Sequence, residues 1–97
     1  MATIIKTVEK DELQTLIFPK SDVLFSNIEK DKRKILLEQA CRIGNDGIRA
    51  SKTGIIFSCS EGMRKVEARI ISLSKDTVIL KGVSSLPIKS IIGVKVT

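Results

Sequence analysis

The side chains with chemistry to offer in this chain are mostly cations. Lys30, Lys32, Arg33 and Lys34 fall within five positions, in the run KDKRK. Farther along, Arg64, Lys65 and Arg69, with Lys81 on the next predicted strand, make a second group. Lysine and arginine at such density suit contacts to phosphate oxygens. The same residues also suit an ordinary wetted surface. A helix spreads Lys30 to Lys34 around more than a full turn, so they do not share one phosphate track. Cations in the first turn also oppose the helix dipole, a small cost that lends a binding role some weight. In the second group Glu67 interrupts the expected outward strip and offers a cross-strand neighbour for its cations.

Other chemistry finds little support. The chain has no histidine, which removes the commonest general base near neutral pH and the commonest metal ligand. No serine sits in G-x-S-x-G, and no G-K-[ST] follows the glycines at Gly44 and Gly47. Cys41 and Cys59 stand 18 positions apart without a CxxC pair. Neither a metal site nor a cofactor is expected, and the chain reads as a non-enzyme. With no signal-peptide pattern ahead of them, the two cysteines are expected reduced and the protein cytoplasmic.

The net charge of +6 is uneven. Residues 1–31 hold four lysines and six acids, a balance of −2, whereas residues 32–97 hold thirteen cations and five acids, a balance of +8. Such a surface attracts polyanions by counterion release and long-range attraction. Ninety-seven residues, 42% of them hydrophobic, allow one domain with one modest core. Three Phe and neither Tyr nor Trp leave few platforms for stacking bases or sugars. No apolar run approaches the roughly 20 residues that span a bilayer.

The elements that must position these groups are mostly short strands. Thr3 to Val8 suits a strand, and Leu13, Leu16 and Ile17 suit a helical turn that Pro19 interrupts. Residues 1–25 are expected to form an arm, either packed on the body or a neighbouring subunit or partly mobile. Ser26 and Glu29 have capping-box spacing for a helix whose apolar stripe is Ile28, Ile35, Leu36, Ala40 and Ile43, with Glu38 and Arg42 pairing on the wet side and Gly44 as its stop.

Asn45-Asp46-Gly47 marks a turn, and Ile48 to Lys52 leads into a strand at Ile55 to Phe57. A turn at Ser60-Glu61-Gly62 precedes a long strand from Lys65 to Ser72, with Val66, Ala68 and Ile70 inward. Ser74-Lys75-Asp76 turns the chain into Thr77 to Lys81. Gly82 to Ser85 loops, Pro87 limits the residues after it to an edge strand or a strand start, and Ser90 to Val96 closes the series. Ile71, Ile79, Ile91 and Ile92 leave apolar residues on a second face, which the helix and arm or another subunit must cover.

This order resembles Sm-like small β-barrels, nearest to the bacterial RNA-chaperone branch. The residues that carry the resemblance are LLEQACRIGN, SEGMRKVEARIISLSKDTVILKG and LPIKSIIGVKV, over roughly residues 35–97. It is also similar to small bacterial proteins with the same turn-and-strand series. The resemblance implies an α+β, mainly β fold, in which an N-terminal helix packs on a small five-stranded antiparallel Sm/SH3-like barrel. It implies homo-oligomers through strand edges. It places Phe57 as the base-stacking ring, and Lys89 as the one residue retained from that branch's Tyr-Lys-His signature, where this chain has Pro87-Ile88-Lys89-Ser90. The domain expectation is residues 1–25 as the arm and 26–97 as helix plus barrel. The functional expectation is a self-associating module that binds RNA or DNA through Lys32, Arg33, Lys34, Phe57, Arg64, Lys65, Arg69, Lys81 and Lys89. The alternative is a protein-interaction or scaffold module.

Overall fold

Strands too short to stand alone settle by pairing, and among the described residues seven do so in two sheets. The computed structural model describes residues 5–44, 53–82 and 84–96. In chain order the strands are β1 (Lys6–Thr7), β2 (Thr53–Cys59), β3 (Gly62–Ala68), β4 (Ile70–Leu73), β5 (Thr77–Leu80), β6 (Ser84–Pro87) and β7 (Ile91–Val96). Two 3-10 turns, Lys10–Thr15 and Ile88–Ser90, and one helix, α1 (Asn27–Gly44), complete the set. One sheet runs β1-β3-β2-β7 and the other β4-β5-β6. Among the described residues the strands do not close into one barrel, and their number exceeds the five expected. The fold is α+β and mainly β.

Pleat alternation sets the core. Ile55 faces Val66 across β2 and β3, Thr53 faces Ala68, and Ile70 faces Leu80 in the second sheet. These side chains are buried, together with Phe57, Val78, Leu86 and Ile91. Each large aliphatic or aromatic residue taken out of water contributes about 1.5–3 kcal/mol. The long strand expected from Lys65 to Ser72 breaks at Arg69, where the chain passes from one sheet to the other. Pro87 lies on the edge strand β6, where its missing N–H removes no inner ladder bond. Ser60 and Glu61 form the two-residue turn between β2 and β3, and Gly62 follows at φ +106°, a left-handed geometry that glycine takes without a Cβ clash. Thr77 N–H donates to Ser74 Oγ at 3.1 Å, closing the β4–β5 turn.

Two helical pieces bridge the sheets. α1 packs on β7 of the first and β4 of the second, and the turn Lys10–Thr15 packs on β6 and β3. The face that α1 buries differs from the expected stripe. Arg33, Leu37 and Ala40 are buried, whereas Ile28 and Ile35 are 68% and 54% exposed on the far side. The reason is the partner of Arg33. Its guanidinium donates to both oxygens of Asp22, at 2.9 and 2.7 Å, and to the Ile91 carbonyl at 3.0 Å. A charged residue within the inner face is thereby satisfied, and the buried side lies about 100° round the helix from the expected stripe, with Ala40 common to both.

The arm is fastened to the body. β1 runs parallel to β3, with Lys6 beside Arg64 and Thr7 beside Lys65, and it is shorter than the strand expected over Thr3 to Val8. Val8 and Leu13 are buried, and Phe18 lies against Phe57 with ring centroids 5.8 Å apart. Val23 N–H donates to the Lys89 carbonyl at 2.9 Å. The expected turn at Asn45-Asp46-Gly47, its lead-in to Lys52, and the side chain of Ile43 lie outside the described residues.

Candidate nucleic-acid interface

The fold separates the expected basic residues. Arg33 is buried and committed to Asp22, so it is a clamp between α1, the arm and β7 rather than a free cation. Phe57 is 0% exposed and is covered by Phe18; its inward register opposite Arg64 leaves no ring face for a base. The strip of Arg64, Lys65, Arg69 and Lys81 does not assemble as expected. Arg64 alternates with Lys65, so the two point to opposite faces of β3.

Arg64 donates to the Met63 carbonyl at 2.8 Å, and Lys65 pairs with Glu67 at 3.2 Å. The Lys65 stem lies over Gly54, where an added Cβ would meet its Cε at 3.1 Å. Arg69 and Lys81 do meet at one place: Lys81 N–H donates to the Arg69 carbonyl at 3.0 Å, extending the β4–β5 ladder to the bend. Lys32 and Lys89 are exposed, the first on α1 and the second on the turn Ile88–Ser90.

One cluster was not read from the sequence. A cleft of about 430 Å³ opens between α1 and the β4–β5 turn. Lys30 and Lys34 enter it from successive turns of α1, and Lys75 enters from the turn. The half-buried Leu73 and Ile88 supply apolar surface, with the buried Leu37 beneath them. Asp31 and Glu38 also line it, so three lysines face two carboxylates while the Arg33 charge is matched by Asp22. The i, i+4 spacing of Lys30 and Lys34 was a usable signal. Lys75 gave none, since only the packing of the turn against the helix brings it near.

A smaller cleft of about 250 Å³ lies on the other flank of α1, between the helix and β7, with Lys32 and Gly93 in its lining. Arg33 contributes to both clefts. Its partner Asp22 is held below the ordinary carboxylate value of 3.8. The Arg33 hydrogen bond is the main cause, aided by the Leu24 N–H and the charges of Arg33 and Lys30, against the opposing effect of burial.

Among the described residues, every buried side-chain nitrogen or oxygen has a hydrogen-bond partner, so no orphaned polar group marks an interior ligand. Among the same residues no group of three His, Cys, Asp or Glu is placed to hold a metal ion, and no helix is long and apolar enough to cross a membrane. The chemistry of the cleft is therefore that of a rim of ammonium donors over an aliphatic floor. No protein-family model, curated protein or solved structure matches the chain.

Proposed function

We propose that the chain is a non-enzymatic, cytoplasmic module of the Sm/SH3-like kind that binds RNA or DNA through lysine contacts to phosphate. The observation that carries the binding reading is the convergence of Lys30, Lys34 and Lys75 on one cleft from two separate elements. The positive balance of residues 32–97 adds long-range attraction. The bend between β3 and β4, the 3-10 turn before β7, and the pairing of β7 with β2 support the fold part of the proposal. Binding rests on phosphate and aliphatic contacts, since the expected aromatic platform is inside the core.

Fluorescence anisotropy of a labelled oligonucleotide at low salt tests the reading. Saturable binding is expected, and a flat titration would remove the nucleic-acid part.

A second reading has its own observation. Phe25 is 92% exposed, Ile28 and Ile35 face outward from α1, and Ile71 is 40% exposed on β4, whereas Ile91 is buried. These residues favour a protein surface, either a further copy of the chain or a scaffold partner. Light scattering on nuclease-treated protein separates the cases. A mass above one chain supports self-association, and a monomer in a nuclease-resistant one-to-one complex with another protein supports a scaffold role.

A further inference from the structure

We infer that the cleft between α1 and the β4–β5 turn grips one unit of a single-stranded nucleic acid, its base on the half-buried Leu73 and Ile88 and its phosphates on Lys30, Lys34 and Lys75. The inference rests on the nucleic-acid reading above and adds where the strand is held and in what form.

Size is the first argument. About 430 Å³ lies toward the lower end of pockets that enclose small molecules, room for one nucleotide and far too little for a helix of nucleic acid. Shape is the second. A duplex hides its base edges in grooves and is read by elements that protrude, such as a helix or a ribbon. The lysine cluster here is concave, so the group it receives must protrude from the ligand. Splayed bases of a single strand do that.

The lining is the third argument. A base presents an apolar face and is joined through its sugar to phosphate. The cleft has an aliphatic floor, with ammonium groups arriving from α1 and from Lys75 in the turn. Aliphatic contact replaces aromatic stacking in this cleft because no phenylalanine is among the described residues that line it. Asp31 and Glu38 repel a continuous phosphate track along the same lining. Three lysines between two carboxylates suit the phosphates flanking one nucleotide, not a long charged groove.

The test is anisotropy at low salt with three probes of about 12 nucleotides, a length within the usual footprint of small single-strand binders. They are a mixed-sequence single strand, its blunt duplex, and a strand of the same length carrying abasic sites only. Two charge-matched double variants are compared: Lys34→Glu with Lys75→Glu in the cleft, and Lys6→Glu with Lys95→Glu on exposed positions of the other sheet. Thermal melts confirm that both remain folded.

The single strand is expected to bind about tenfold or more tightly than duplex and abasic probes, and the cleft pair should weaken it about tenfold while the other pair changes it less than about threefold. Equal loss in both variants, or equal binding of the abasic strand, overturns the cleft mode and leaves the broader reading standing. No binding to any probe by the unmodified chain overturns the broader reading itself.

Discussion

Two residues that read as ligand contacts are structural instead. Phe57 lies in the core against Phe18, so Phe57→Ala is expected to cost about 3–5 kcal/mol of stability, seen as a lower urea midpoint. Any loss of binding in that variant should follow the loss of folded protein. Arg33 holds Asp22 through two parallel hydrogen bonds, and Asp22→Asn should destabilise by about 1–3 kcal/mol because a buried guanidinium is left half-matched.

The pH dependence has a definite sign. The carboxyl of Asp22 is held below its ordinary value in the folded chain, so as pH falls the unfolded chain takes up that proton first. The clamp's contribution is complete above the ordinary carboxylate value and fades as pH drops through the lower folded one. Urea midpoints from neutral to strongly acid pH should therefore fall less steeply in Asp22→Asn than in the unmodified chain. Equal acid limbs would show that the ion pair is not formed in solution. The Arg33–Asp22 pair was not legible in the sequence, because its partners lie eleven positions apart across an irregular segment.

At the scale of elements, strand parity was readable and helix rotation was not. Val66, Ala68, Ile70, Val78 and Leu80 all turn inward as their alternation requires, since a strand has only two faces. The turns at Ser60-Glu61-Gly62 and Ser74-Lys75-Asp76 were equally legible from local backbone chemistry, whereas β6, ending at Pro87, takes Ser84 and Ser85 out of the expected loop. A helix has many faces, and the expected stripe held Ala40 but missed Arg33 and Leu37, because an apolar count leaves an arginine out of the core.

Substitution separates the two rotations. Leu37→Ala is expected to cost about 2–5 kcal/mol, while Ile35→Gln stays within about 0.5 kcal/mol of the unmodified chain. A large loss in Ile35→Gln with little loss in Leu37→Ala would mean that α1 buries the Ile28–Ile35 side instead. The cleft was missed for a related reason. Lys30 and Lys34 are near in sequence, but Lys75 reaches them only through the packing of α1 on β4.

At the scale of the whole molecule, two small sheets share one core, with α1 and the turn Lys10–Thr15 each touching a strand of both. That arrangement turns a run of ordinary surface lysines into a local site by bringing a helix beside a β turn. The skewed charge of the composition favours polyanions, but it does not place Lys75 beside Lys30 and Lys34. The most direct measurement is the affinity for a single-stranded oligonucleotide as a function of salt. The two phosphates flanking one nucleotide predict that log K falls with log salt at a slope of about −1.4 for a single strand, and that the slope shrinks toward zero in Lys34→Glu with Lys75→Glu. Affinity independent of salt, or a slope unchanged by removing those two lysines, would contradict the account.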